Sequence, residues 1–234
     1  MKKYTLVFAL VLSGLIVSAQ SYKFPPRNEV NKDSSIKVFV DTLKAVIARK
    51  DASALLKLLD AKVQVTVEDA ERNEDSHNNI KGFKEIYAPQ YPSSKVWKNL
   101  ETVIMMGGVF DNKQRSQFVF PYVMHMEINV KGANLCSGCG ECLTIITPDA
   151  NVRKSPDRTS AALGRLSYDV VKVVEEPVSK VPGGNSDNWV YVQTFDGKLT
   201  GWVRNDLTWD ICDYRLLLEK KKGKWLIVAF LAGD

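Results

Sequence analysis

The chain has 234 residues, of which 45% are hydrophobic and 25% are charged, and it contains 14 glycines and 9 prolines. These values are ordinary for a globular protein and exclude collagen-like, low-complexity and wholly disordered chains. The formal net charge of +5 is too small to indicate a nucleic-acid-binding protein, and the length suits one or two domains with a substantial core.

The first nineteen residues have the three parts of a secretory signal peptide. Lys2 and Lys3 give a basic start, residues 4–17 are almost entirely apolar, and Val17-Ser18-Ala19 supplies a cleavage site. The apolar run is shorter than the roughly 20 residues that a membrane-spanning helix needs. We therefore expect a mature chain that begins at Gln20, is periplasmic or extracellular, and contains no transmembrane segment.

Residues 20–32 combine Pro25-Pro26 with many polar side chains and predict a flexible or extended leader. Asp33 can cap a helix whose apolar residues recur at helical spacing, and Asp51 can cap a second, shorter helix. These apolar positions are Ile36, Phe39, Val40, Leu43, Val46 and Ile47 in the first helix, and Leu55, Leu56, Leu58 and Leu59 in the second. Alternating valines at 63, 65 and 67 then predict a half-buried strand.

The next segment, residues 68–79, is polar and charged and is predicted to be an exposed loop. Residues 82–87 predict a short helix, and Pro92-Ser93-Ser94 opens a longer one that ends at Gly107-Gly108. Two strands are predicted to follow, at residues 109–110 and 118–128.

Beyond three closely spaced cysteines, the pattern changes to short β-like runs separated by turn signals such as Ser155-Pro156 and Asp196-Gly197. The runs lie at residues 143–146, 150–153, 162–166, 170–175, 189–194 and 200–204. Strands this short and frequent, over about sixty residues, predict a small all-β barrel.

The last stretch, residues 214–230, predicts a hairpin with a basic turn at residues 220–224. Both faces of this hairpin are apolar, so it must be covered, and the helices and strands before the cysteines are the natural cover. We therefore predict an α+β fold with helices and a curved antiparallel sheet closed by the C-terminal hairpin. In this interpretation residues 33–130 and 212–234 form a discontinuous body, residues 131–142 a cysteine-rich connector, and residues 143–208 an inserted barrel.

The four cysteines are Cys136, Cys139 and Cys142 in the connector, and Cys212 near the end of the chain. In an exported protein they favour two disulfides, for which three connectivities are possible. A Cys142–Cys212 bridge would join the two ends of the barrel and is the pairing we expect. A zinc or iron–sulfur site and a redox-active Cys-x-x-Cys are the alternatives, which would make this a metal or redox protein.

The predicted barrel resembles the bacterial SH3-like domain. The N-V-R-x-x-P, W-x-x-V and G-W-V elements of that family occur here in order, at residues 151–156, 189–192 and 201–203. The chain as a whole is also similar to exported Bacteroidetes proteins that contain such a domain. That wider similarity implies no reaction, and it rests on residues 97–100, 107–108, 118–122, 167–171, 222–225 and 230–234.

Bacterial SH3-like domains bind cell-wall peptides or other envelope ligands through aromatic and polar residues on one side of the barrel. The resemblance implies such a site here, built from Tyr168, Asp187, Asn188, Trp189, Tyr191 and Trp202. Trp202 can equally serve as a packing residue, because a barrel this small needs large side chains to fill it. Trp189 and Tyr191 admit both interpretations.

No motif in the sequence indicates catalysis or a cofactor. Histidine occurs at His77 in the polar loop and at His125 in a predicted strand, and the common hydrolase, zinc-protease and phosphate-loop motifs are missing from the sequence. We expect a non-catalytic binding or scaffolding protein, without cofactor, whose partner is a cell-envelope ligand. The alternative is an interaction module whose partner is an envelope protein, such as a cell-wall enzyme that it recruits or regulates.

Overall fold

The computed structural model describes residues 22–66, 78–111, 115–125, 129–130, 133–134, 136, 138–175 and 188–233. The predicted signal peptide, most of the predicted polar loop with His77, and the candidate ligand residue Asp187 lie outside these described residues.

Four α-helices form within the described residues, namely α1 (Ser34–Arg49), α2 (Ala52–Leu58), α3 (Ile80–Tyr87) and α4 (Lys95–Met105). Asp33 caps α1 by accepting hydrogen bonds from the backbone N–H groups of Ser35 and Ile36, and Asp51 caps α2 through the N–H of Ala54. All six apolar positions predicted for the first helix are buried. No helix in this described part of the chain is long and apolar enough to cross a membrane.

The strands are, in chain order, β1 (Leu59–Thr66), β2 (Val109–Phe110), β3 (Gln117–Phe120), β4 (Asn129–Val130), β5 (Ala133–Asn134), β6 (Cys142–Ile145), β7 (Ala150–Arg153), β8 (Ala162–Leu166), β9 (Val170–Val173), β10 (Trp189–Thr194), β11 (Thr200–Arg204), β12 (Thr208–Asp210), β13 (Arg215–Lys221) and β14 (Lys224–Leu231). A five-stranded body sheet has the order β1-β14-β13-β3-β2, and a seven-stranded barrel sheet has the order β12-β6-β9-β10-β11-β7-β8. The short strands β4 and β5 pair only with each other among the described strands.

This arrangement confirms the predicted α+β class with a mainly antiparallel sheet. One pair departs from the prediction, because β1 runs parallel to β14. Strands that run parallel cannot be joined by a tight hairpin, and here most of the chain separates the two. Strands β13 and β3 are neighbours in the body sheet although the barrel strands lie between them in the chain.

The predicted strand at residues 118–128 is too long. Strand β3 ends at Phe120, and residues Tyr122–His125 form a 3-10 helix instead. Pro121 follows the strand and has no N–H group to donate to a neighbouring strand, which favours an end to the ladder there. The Tyr122 N–H donates to the Gly107 carbonyl, at the end of α4.

Three apolar clusters hold these elements together. The body core joins the buried stripes of all four helices to the inner face of the body sheet, and the barrel core lies among Ile145, Ala150, Val152, Leu166, Val171, Val192 and Val203. A smaller cluster of Val109, Tyr122 and Val123 lies where body and barrel meet, and Phe24 of the leader and Trp209 of β12 pack against it. The orientation of the barrel is therefore fixed by contacts as well as by the chain.

The four cysteines form two disulfides, but the predicted Cys142–Cys212 bridge is wrong. Cys136 pairs with Cys142, and Cys139 pairs with Cys212. The N–H of Gly140 donates to Oδ2 of Asp210 at 2.7 Å, which holds the turn that contains Cys139 beside the end of β12, where Cys212 follows. Cys142 lies in β6, paired with Lys172 of β9. Its sulfur is bonded to that of Cys136, six positions earlier in the chain.

Candidate functional site

Strands β10 and β11 place their residues alternately on the two faces of the barrel sheet. Val190 and Val192 of β10 and Val203 of β11 pack in or against the barrel core. The intervening residues, among them Trp189, Tyr191 and Trp202, therefore lie on the opposite face, which we call the outer face. The pairing of Tyr191 directly across from Trp202 keeps the two on this face together.

An aromatic pair forms the centre of the outer face. The rings of Tyr191 and Trp202 lie 5.2 Å apart with an angle of 56° between their planes, a favourable tilted contact. Trp202 is only 4% exposed, whereas Tyr191 and Trp189 are half-buried. Trp202 is thus a buried packing partner of Tyr191. Of the three side chains, Trp189 and Tyr191 are the ones that a ligand can reach.

Steric crowding explains why the G-W-V motif begins with glycine, at Gly201. A β-carbon on Gly201 would lie 2.7 Å from the carbonyl oxygen of Arg153 and 2.8 Å from the side chain of Val152. Glycine therefore lets β11 approach β7 closely enough for Trp202 to lie across from Arg153. The motif therefore determines the arrangement of Trp202 and Arg153 on the outer face as well as the path of β11.

The loop between β7 and β8 is closed by hydrogen bonds at the edge of this face. The guanidinium of Arg153 donates to the Ser160 carbonyl, and the N–H of Ser155 donates to the Ser160 hydroxyl oxygen. Pro156 is buried inside the loop. These contacts give Arg153 and Pro156 of the N-V-R-x-x-P element a structural role, although Arg153 itself also borders the aromatic pair.

The other predicted ligand residues divide between this face and another place. Asn188 is exposed and directly precedes Trp189, so it adjoins the outer face. Tyr168 lies instead in the turn before β9, where its carbonyl accepts the N–H of Phe24 from the leader. Burial, with the neighbouring Tyr168 adding to it, raises the pKa of Tyr122 to about 12. Tyr168 therefore belongs to the junction with the leader and the body.

The four cysteines are all bonded in disulfides. The sulfurs of Cys139 and Cys212 lie near a carboxylate oxygen of Asp210, all within 4.8 Å, but both sulfurs are bonded in the disulfide and offer no thiolate to a metal. His125 ends the 3-10 helix rather than lying in a strand.

Cations on the outer face were not among the predicted site residues. Register places Arg204 across from Trp189, Arg153 across from Trp202 and Lys172 across from Gln193. These cations could have been identified from the sequence. Side chains alternate between the two faces along a strand, so assigning one valine of each strand to the core places its cation on the outer face.

Comparison with known families supports the barrel assignment. Residues 148–208 match the family model of the bacterial SH3 domain, which confirms the resemblance noted in the sequence. The match covers the barrel strands from β7 to the start of β12, so this chain contains a bacterial SH3 domain. Neither a curated protein nor a solved structure matches the chain.

Proposed function

We propose that this chain is an exported, non-catalytic binding or scaffolding protein whose bacterial SH3 domain binds a cell-envelope ligand, with a peptidoglycan peptide as the first candidate. The observation that carries the proposal is the pair of reachable aromatic side chains, Trp189 and Tyr191, backed by the buried Trp202. Aromatic side chains that keep their position in the free protein can bind a ligand at a low entropic cost.

The domain and the disulfides support this class of function and this location. Bacterial SH3 domains serve as modules that bind cell-wall components or proteins. Two disulfides in one chain favour an extracytoplasmic protein, because cytosolic thiols are kept reduced. An N-terminal signal peptide, as the first nineteen residues predict, would deliver the protein there.

Co-sedimentation with purified peptidoglycan sacculi tests the proposal. The exported protein is mixed with sacculi at low salt and at about 0.15 M salt, where exposed charges separated by more than about 8 Å are screened. We expect retention at both salt concentrations. Removing the Tyr191 ring by Tyr191→Ala should lower the affinity about tenfold or more, the size of effect that one well-placed aromatic contact supplies.

Tyr91→Ala is the matched control, because Tyr91 is 60% exposed on the body. It should bind sacculi like the wild type, and circular dichroism and thermal unfolding should show that the Tyr191→Ala variant is folded. Retention at low salt only, or equal retention of the two variants, would overturn wall binding by this face. Absence of binding would favour the alternative, an envelope protein as the partner, which crosslinking in the periplasm would then identify.

A further inference from the structure

The five barrel strands around the aromatic pair carry a one-sided charge. Strands β7 to β11 contain no aspartate or glutamate, but they contain four cations, Arg153, Arg165, Lys172 and Arg204. Because Arg165 lies across from Asn151, which alternates with the core residues Ala150 and Val152, it too lies on the outer face. All four cations therefore share the face that carries Trp189 and Tyr191.

The described turns next to these strands contain six carboxylates, and among the described residues Arg204 is the one strand cation that forms an ion pair with any of them. The six are Asp149, Asp157, Asp169, Glu175, Asp196 and Asp206. Asp157 accepts hydrogen bonds from Thr159, and Asp196 accepts from Thr194 and the N–H of Lys198. Asp206 pairs with Arg204 and is itself 59% exposed. Within the described residues, Arg153, Arg165 and Lys172 of the outer face thus form no ion pair, which leaves their charge for an anionic ligand.

The strand register sets the spacing between the arginines and the two reachable aromatic residues. Tyr191 and Arg153 both neighbour Trp202, so they lie two strands apart, which is about 10 Å at the usual strand spacing. Arg165 lies one strand further, on β8, across from Asn151 of β7. Trp189 and Arg204 are direct cross-strand neighbours, whose β-carbons lie about 5 Å apart in such pairs. The face can therefore hold an apolar group and a carboxylate separated by one to three residues of an extended peptide.

We propose that the ligand of this face is a peptide that bears a free carboxylate, which the arginines bind while the adjoining part of the peptide packs on Trp189 and Tyr191. This inference rests on the proposed function and specifies its ligand class. Arginine favours a carboxylate over a neutral group because its planar fork can donate two parallel hydrogen bonds to the two carboxylate oxygens. A neutral glycan offers no such partner, so the charge of the peptide decides binding.

Chemical amidation of the sacculi tests this step. Free carboxylates are converted to amides with a carbodiimide and ammonia, and the wild-type protein is sedimented with native and amidated sacculi at about 0.15 M salt. We expect amidation to lower the affinity about tenfold or more. Arg165→Gln with Arg204→Gln should lower the affinity for native sacculi by a similar factor and change the affinity for amidated sacculi little, while Arg165→Lys with Arg204→Lys should restore it only in part.

The control variant is Lys44→Gln with Arg49→Gln, which removes the same charge from two exposed positions of α1 and should bind native sacculi like the wild type. Equal binding of native and amidated sacculi by the wild type would overturn the carboxylate inference while leaving wall binding intact. An equal loss in the control variant would overturn it too, since the attraction would then follow net charge alone. If the wild type binds neither preparation, the proposed function fails, and this inference fails with it.

Discussion

The ammonium group of Lys23 lies 2.9 Å from Oδ2 of Asp169, a carboxylate whose side chain is only 6% exposed. This ion pair joins the leader to the barrel, and two backbone hydrogen bonds flank it, from Phe24 N–H to the Tyr168 carbonyl and from Val170 N–H to the Tyr22 carbonyl. The ring of Phe24 also stacks on Tyr122 of the junction cluster at 5.7 Å. Residues 22–24 therefore contact the barrel and the body at once.

Replacing Lys23 with methionine should destabilise the protein by roughly 1–3 kcal/mol, because the buried carboxylate of Asp169 loses its counter-ion. The loss is moderated by the Ser167 N–H, which still donates to that carboxylate at 2.7 Å. Urea unfolding at neutral pH measures the change. Adding Asp169→Asn to Lys23→Met should recover part of it, since the neutral amide costs less to bury.

Lys37→Met is the comparison for this prediction, because Lys37 and Asp41 form an ion pair in which both side chains are more than half exposed. Its expected cost is below about 0.5 kcal/mol. An equally small effect of Lys23→Met would show that the leader is not anchored by this pair.

The elements with strong local signals could be predicted from the sequence. Helix α1 begins after Asp33 because that side chain caps it, and its six apolar positions are buried as the helical spacing predicts. Pro121 marks the end of β3 in the sequence, but the prediction extends the strand because residues 122–128 have the composition of one. The 3-10 helix that forms instead donates the Tyr122 N–H to the Gly107 carbonyl at the end of another element. A local pattern cannot report such a partner.

The candidate site could be predicted only where motif and register agree. Tyr191 and Trp202 were both among the predicted residues, and cross-strand pairing brings them into contact. The family resemblance groups Tyr168 with them, but in the structure the leader determines the surroundings of Tyr168. The disulfide pairing could not be derived, since Cys139 reaches Cys212 through a turn held by Asp210, a residue seventy positions from Gly140.

The two disulfides should differ in their contribution to stability. Cys139–Cys212 joins residues 73 positions apart, and Cys136–Cys142 joins residues 6 apart. In the chain-entropy description the longer loop restrains the unfolded chain more, with about 4 kcal/mol expected for the first bridge and about 2 kcal/mol for the second. The paired alanine variants of each bridge, compared by urea unfolding without reductant, measure this difference.

A thiol count on each variant is the necessary control, because the two cysteines that remain must still be bonded to each other. If the Cys136/Cys142 variant is the less stable of the two, the connectivity found here or its entropic account is wrong. Unchanged stability in both variants would show that the packing at the junction, and not the bridges, holds the barrel in place.

Glu29 should give the protein a measurable acid sensitivity. Burial alone would raise the pKa of Glu29, but hydrogen bonds from Lys32, the Phe110 N–H and Arg27 outweigh it and lower the pKa to about 2 from an ordinary value of 4.5. A carboxyl group whose pKa is lower in the folded state stabilises that state above its unfolded pKa, and this stabilisation is lost as the pH falls toward the folded pKa. The loss should therefore occur between about pH 5 and pH 2.

Glu29→Gln removes this titration and should cost about 1–2 kcal/mol at pH 7, a figure reduced because the partners Lys32 and Arg27 are more than half exposed. The difference in free energy of unfolding between wild type and variant should shrink as the pH is lowered from about 5 to about 2. Urea unfolding at a series of pH values measures this difference. Glu101→Gln is the control, because the Glu101 side chain is exposed and its carboxylate comes no closer than 3.7 Å to the Lys98 ammonium group. A constant difference across that pH range would mean that the folded protein does not lower the pKa of the Glu29 carboxyl group.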